Sequence, residues 1–380
     1  MGNSHLAQVE LLVERLSKAR SQVERLDLEA LVVTHLPNIF YLSNLHSSSG
    51  VLVLTPKNGR LLVDFRYQEA VANLIGAKGF PPDIQVVEVP GSYEESLSSV
   101  ISHAGWSRVG VEAEHMSLRF WQWLRKSITA EIVETEGLVE NLRILKDAHE
   151  IALFREAGER IVSALALIRQ QGFSSRSEVE ISHEIERRLF EVGFDGTAFS
   201  TIVASGLNSA LPHAQPTSRK VTDGDLVVLD FGGNYHGYSV DLTRTVAVGR
   251  LSSEQKRLHE AVCLAQEAAL KTIHPGILAS SVDKAARDVL RDFGLADAFG
   301  HSTGHGLGIE VHELPRVGRK RIQGGPTEGD ITLEPGMVFT VEPGVYVPGI
   351  GGVRVEDDVL VTHDGFEMLT EAPRGLSVTK

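Results

Sequence analysis

Cysteine is nearly absent from this chain of 380 residues. The single thiol, Cys263, excludes any disulfide within the chain. It sits in a helical apolar pattern with Leu258, Val262, Leu264 and Ala265 and reads as a small buried residue, not a nucleophile. Basic excess is missing as well. Lys and Arg number 37 against 50 Asp and Glu, a net charge of -13. A nucleic-acid partner is therefore not expected, because phosphate neutralisation needs a basic face. No apolar run approaches the length that spans a bilayer, so no membrane partner is expected. No apolar segment follows Met1 as in a secretory leader, and Leu6 stands where a myristoylation signal after Gly2 needs Ser or Thr. A reducing, cytoplasmic location is the expectation.

Several catalytic signatures are also lacking. His312-Glu313-Leu-Pro-Arg316 is not a His-Glu-x-x-His zinc motif, since Arg stands fifth. There is no phosphate loop ending in Gly-Lys-Ser/Thr and no Gly-x-Gly-x-x-Gly opening a dinucleotide fold. Nucleotide mechanisms thus have no support.

What is present is an ordinary globular composition, 42% hydrophobic and 23% charged, long enough for about two domains. Residues 1–140 alternate helix and strand signals: a helical period near 7–26, then apolar runs at Ala30–Thr34, Val51–Thr55 and Leu61–Asp64. Asn58-Gly59 between two of these runs predicts the hairpin turn. The expectation is an N-terminal α/β domain. From Lys146 onward the texture changes to capped helices. Asp147/Glu150, Ser177/Glu180 and Ser252/Gln255 have capping-box spacing, and Ser280/Asp283 marks a weaker start. Gly172, Gly193, Pro275-Gly276 and Gly294 are the expected stops. With strand-like runs at Leu226–Phe231, Thr243–Val248, Met337–Val341 and Val353–Val361, residues 146–380 predict an α+β domain of helices on a curved, mostly antiparallel sheet.

A weak repeat carries the chemistry. Asp230 ends one apolar run and Asp241 follows 11 residues later, after Gly232, Gly233 and Gly237. Glu342 ends another and Glu356 follows 14 residues later, after a second Gly/Pro-rich stretch. Two hairpins with one carboxylate per arm would bring four acids to one point. Buried carboxylates need a cation. Arg244 and Arg354 could serve one by one, but four acids with His305 in a Gly-rich loop point to metal. Oxygen ligands with one imidazole suit Mn²⁺, Co²⁺, Fe²⁺ or Zn²⁺, and four carboxylates nearly balance two such ions. His301, His305 and His312 cluster among glycines, and His213 in Leu-Pro-His-Ala precedes the first acidic strand. These are candidate proton carriers. His35, His46, His183 and His259 are read as surface or structural.

Leu-Asp230-Phe-Gly-Gly, Ser-Val-Asp241-Leu-Thr-Arg-Thr, Thr-Gly-His305-Gly-Leu-Gly-Ile-Glu-Val-His312-Glu, Val-Glu342-Pro-Gly and Val-Arg354-Val-Glu356-Asp resemble the Xaa-Pro peptidases of the pita-bread (M24) metallopeptidases. Pro37-Asn-Ile-Phe-Tyr-Leu-Ser-Asn, Val63-Asp-Phe-Arg-Tyr and the linker beginning Leu142-Arg-Ile-Leu-Lys resemble the same group's creatinase-like N-terminal domain and its connection. The resemblance implies a pita-bread catalytic domain and two divalent ions, with Mn²⁺ the first expectation. It implies that Asp230 holds one ion, Asp241 and Glu356 bridge both, and His305 and Glu342 complete the second. Glu342 would move the proton of the attacking water, His213 and His312 would assist the tetrahedral intermediate and the leaving nitrogen, His301 would line the proline pocket, and Arg354 would support Glu356. The implied substrates are proline-containing peptides and the implied assembly a homodimer. Ser48-Ser49-Gly50 and Phe65-Arg66-Tyr67 look like short bacterial aminopeptidases P, which puts an Xaa-Pro aminopeptidase first. Arg316 resembles the carboxylate-binding arginine of some microbial prolidases, which keeps an Xaa-Pro dipeptidase as the alternative. A metal-free creatinase-like hydrolase is a further alternative.

Overall fold

Leu12, Leu16, Ala19 and Val23 recur at helical spacing and form the buried stripe of the first helix, α1 (Val9–Arg25). The computed structural model describes residues 5–320 and 330–376, with backbone alone at 378–379. The start at Met1, where no leader or lipid signal is expected, lies outside them. The chain divides into two compact units, Met1–Arg143 and Ile144–Lys380.

The first unit continues with β1 (Ala30–Val33), α2 (Leu36–Ser43), β2 (Val51–Leu54), β3 (Gly59–Val63), α3 (Phe65–Gly76), β4 (Ile84–Glu88), α4 (Tyr93–Ala104), β5 (Arg108–Glu112), α5 (Leu118–Ser127), β6 (Glu131–Thr135) and α6 (Glu140–Arg143). Its six-stranded sheet has the order β4-β3-β2-β1-β5-β6. The central β1 and β2 are buried at every position, which is why they read as unbroken apolar runs. The expected hairpin joins β2 to β3, but its turn lies earlier than Asn58-Gly59. Gly59 already pairs with Leu54, and Thr55 N–H donates to Asn58 O at 2.9 Å. Pro56 sits where a fixed negative φ suits a four-residue turn, so no left-handed glycine is needed.

The second unit opens with α7 (Ala148–Gln170) and α8 (Glu178–Glu191), followed by β7 (Gly196–Thr197), β8 (Ile202–Ser205), β9 (Leu226–Tyr235), β10 (Tyr238–Val248), α9 (Ser253–Thr272) and α10 (Ala279–Asp292). Then come β11 (Gly304–Gly306), β12 (Glu313–Val317), β13 (Val338–Val341), β14 (Gly344–Val347), β15 (Gly351–Arg354), β16 (Asp357–Val361), β17 (Phe366–Met368) and β18 (Val378–Thr379). Asp147, Ser177 and Ser252 cap α7, α8 and α9 with reciprocal capping boxes, as their spacing predicts. The fourth start differs. α10 begins at Ala279 after an uncapped Leu278, and Ser280 N–H instead donates to Asp330 Oδ1 at 3.0 Å.

The strands form three ladders rather than one sheet: β18-β10-β9-β7 with β8 also on β9, β12-β11-β13-β16-β17, and the β14-β15 hairpin. Among the described residues of this unit every strand pairing is antiparallel except β10 with β18. The turn between β9 and β10 is His236-Gly237, both at positive φ, the form that matches strand twist. Gly232 and Gly233, expected in that turn, lie within β9. A Cβ on Gly232 would come 2.5 Å from the Phe199 ring, so close packing requires glycine there. Cross-links tie β10 to the segment around β15 and β16. Glu356 N–H donates to Thr243 O at 3.1 Å, Asp241 N–H to Asp358 Oδ2 at 2.9 Å, and Thr245 Oγ1 to Arg354 O at 2.9 Å. Helices α9 and α10 close the core through Leu258, Val262, Val282 and Leu290 against Phe339, Val341 and Val353.

Candidate metal centre

Register gathers the acids. Asp230 on β9 faces Thr243 on β10, and Asp241 lies two residues from Thr243, hence on the same face. Glu342 follows β13, and Glu356 stands between β15 and β16, where the ladder changes partner from Gly344↔Arg354 to Val341↔Asp357. His305 lies at the centre of β11, next to β13. Ligand atoms of Asp241, His305 and Glu356 lie within 4.8 Å of one another. His305 Nε2 is 3.6 Å from Glu342 Oε1. Asp230 is joined to the group by Arg354 Nη2, which donates to its Oδ2. The five sequence-derived ligand candidates are thus brought together.

Their electrostatics are those of a cation site. Burial raises Asp241 and Glu356 well above the usual carboxylate range, and the neighbouring acids push them further. Glu342 is pushed up to about 8, by burial first, with Asp230 raising it and Arg354 holding it down. Asp241 Oδ1 and Glu356 Oε1 are buried without a hydrogen-bond partner. Such oxygens are costly unless a cation takes them. Burial lowers His305 to about 4, so its imidazole is neutral near pH 7. Its Nδ1 lies 3.1 Å from Gly306 O, which places the proton there and leaves the Nε2 lone pair for a metal. The donor set fits divalent ions of the Mn²⁺, Co²⁺ or Zn²⁺ kind.

The remaining candidates surround this group unevenly. His301 Nε2 is 3.1 Å from Tyr346 Oη, and its Nδ1 is 3.9 Å from Glu342 Oε2. His312 packs on His305 with ring centroids 4.3 Å apart. His213 is exposed; burial lowers both His301 and His312, and nearby His213 adds a smaller push in the same direction. Arg316 pairs in register with His305, so the two side chains leave the same face of the sheet. Its guanidinium is exposed and donates to Arg319 O at 3.3 Å.

Four participants escaped the sequence reading. Thr243 Oγ1 donates to Glu356 Oε2 and lies 3.3 Å from Arg354 Nε. Thr340 Oγ1 accepts from His305 N–H at 3.1 Å and lies 3.5 Å from Glu342 Oε1. Tyr346 Oη links His301 to Arg354. Asp358 receives Asp241 N–H. Thr243 had a signal, because it alternates with Asp241 on one strand face. Thr340, likewise two residues before Glu342, had a weaker one. Nothing in the sequence marks Tyr346 or Asp358.

A buried carboxylate cluster with a neutral imidazole, set on the ladders of an α+β unit, defines a metallohydrolase. Comparison with known proteins agrees. Residues 152–363 match the model of metallopeptidase family M24, and residues 15–145 that of the creatinase/prolidase N-terminal domain. The Xaa-Pro dipeptidase of Pyrococcus horikoshii is 31% identical over 97% of this chain and 100% of its own. The structure of an Xaa-Pro dipeptidase from Bacillus anthracis superposes with a TM-score of 0.90 at 34% identity, covering 97% of this chain and 99% of that one. An X-Pro aminopeptidase from Thermotoga maritima gives 0.83 at 32% identity, covering 94% and 100%. The chain belongs to metallopeptidase family M24 and has its two-domain pita-bread fold. It is a hydrolase of the Xaa-Pro peptidase kind. No helix among the described residues is long and apolar enough to cross a membrane.

Proposed function

We propose that this chain is an Xaa-Pro dipeptidase whose catalytic domain, residues 146–380, works with two divalent ions, Mn²⁺ foremost, held by Asp230, Asp241, His305, Glu342 and Glu356. The observation that carries this reading is the pair of buried, partnerless oxygens on Asp241 and Glu356 amid acids that cannot all ionise without a counter-cation. Two bound ions would supply hydroxide near neutral pH and polarise the scissile carbonyl. The protein's own groups do the rest. Glu342, deprotonated beside the bound ions, would take the proton of the attacking water and pass it on. His312 and His213 reach the developing oxyanion and the departing prolyl nitrogen. His301, fixed by Tyr346, borders the proline ring, and Arg354 keeps Asp230 and Thr243 aligned.

Preference for a dipeptide rests on the dipeptidase relatives and on Arg316, whose register beside His305 lets it meet a free carboxylate. The aminopeptidase, put first on sequence grounds, is kept as second reading by the likeness to the Thermotoga maritima enzyme. Residues 1–140 are read as the creatinase-like domain of a cytoplasmic homodimer.

The deciding experiment compares Ala-Pro with Ala-Pro-Ala under Mn²⁺, with Arg316→Met alongside. Ala-Pro should be the better substrate, and the variant should raise its KM by about 10-fold or more, the loss of a charge-assisted contact. Cleavage of the tripeptide alone would favour the aminopeptidase. Undiminished activity after exhaustive chelation would sink both.

A further inference from the structure

Within the first unit, two histidines and a glutamate that the proposed reaction does not use meet at one point. His35 precedes α2, His115 follows β5, and Glu140 opens α6. The imidazoles of His35 and His115 stack with centroids 3.6 Å apart and planes 13° from parallel. One ligand atom from each of the three residues lies within 4.8 Å of the others. His115 and Glu140 are three-quarters or more buried, with side-chain exposures of 25% and 20%.

The surroundings are built, not casual. Asn38 is fully buried and its Nδ2 donates both to Glu112 Oε1, at 2.7 Å, and to Glu140 Oε1. Arg143 Nη1 donates to Asn38 Oδ1 at 2.7 Å. Glu112 Oε2 accepts the backbone N–H groups of Thr34 at 2.6 Å and His35 at 2.8 Å. The backbone at His35 and the carboxyl of Glu140 are therefore held in place. Against this frame the imidazole of His115 stands out. His115 Nε2 is shut off from solvent and 2.9 Å from Glu140 Oε1, yet the two are not aligned for a hydrogen bond. A nitrogen and a carboxylate oxygen at that separation are spaced as two ligands of one cation would be.

We propose that His35, His115 and Glu140 form a second metal site, of the Zn²⁺ class, in the N-terminal unit. Two imidazoles and one carboxylate favour Zn²⁺ over Mn²⁺ or Mg²⁺, which prefer oxygen. The stacked rings present their nitrogens side by side, and rotation about one Cβ–Cγ bond, a soft torsion in histidine, makes them converge. Water would complete a four-coordinate ion. Because the three ligands come from separate elements, bound zinc would tie α2, the turn after β5 and α6 together.

The test uses the full-length chain, equilibrated with buffered Zn²⁺, desalted and assayed for zinc by elemental analysis. His35→Ala/His115→Ala and the closer-shaped His35→Asn/His115→Asn are compared with the parent, with far-UV circular dichroism and melting recorded for each. The expected result is one zinc per chain fewer in both variants, with fold and cooperative melting retained. An unchanged zinc count in either folded variant overturns the proposal. So does a count that falls only where the circular dichroism shows that both variants have unfolded, since that marks a packing pair. The zinc difference is read without any peptide assay, so it stands or falls apart from the peptidase reading.

Discussion

The guanidinium of Arg244 is fully enclosed, and its donors reach Thr243 O, Glu356 O, Asp357 Oδ1, Pro373 O and Ala372 O. It holds the chain on either side of Glu356 and neutralises Asp357, whose carboxyl burial pushes up and Arg244 pulls down. Removing one member of a buried pair leaves an uncompensated charge. Arg244→Met should therefore lower unfolding free energy by about 3–5 kcal/mol in denaturant titrations. Thr243 acts more locally, by donating to Glu356. Thr243→Val should weaken Mn²⁺ binding about 10–100-fold in equilibrium titration, and Thr243→Ser should restore it. No recovery with serine would refute the hydrogen-bond role. At this scale the sequence displayed acids and histidines, because charge beside apolar strands is conspicuous. Tyr346 stayed hidden, since its part depends on where the β14-β15 hairpin folds back, which composition does not encode.

At the scale of elements, local chemistry was legible wherever it was self-contained. Asp147, Ser177 and Ser252 each close a box with a residue three positions on, and the helices start there. Ser280 failed because its partner, Asp330, is 50 residues away. The Gly232-Gly233 pair misled for a similar reason, as packing against Phe199 and Phe194, not turn geometry, requires glycine. The same logic governs Gly158 inside α7. Alanine is usually better in a helix by about 0.5–1 kcal/mol. Here a Cβ would stand 1.9 Å from the carbonyl oxygen of Leu369, a backbone atom that cannot rotate away. Gly158→Ala should thus destabilise by about 1–3 kcal/mol, read from the shift in denaturant midpoint. A gain in stability would mean that the helix and the Leu369 strand end separate freely.

For the whole molecule, metal, pH and stability are one linked system. In the metal-free chain Asp241, Glu342 and Glu356 hold their protons more tightly folded than unfolded, Glu342 up to about 8 against an ordinary 4.5. A carboxyl shifted upward favours the folded state at low pH and withdraws that support as pH climbs toward its folded value. His301 and His305, lowered by burial to about 4 from 6.5, act oppositely, and their effect fades as pH rises through 6.5. From about pH 7.5, roughly one unit above that value, to about 8 these two imidazoles are neutral in both states, and the raised carboxylates set the slope of this cluster. The chelated protein should therefore melt at progressively lower temperature across that window. Divalent ions reverse the sign, because they bind the deprotonated oxygens and compete with the protons. With saturating Mn²⁺ the melting temperature should stay level or rise over the same range, and the gap between loaded and chelated protein should widen toward pH 8. Parallel melting curves with and without metal would show that these acids titrate independently of the ions, and the carboxylate cluster would then not be the metal centre.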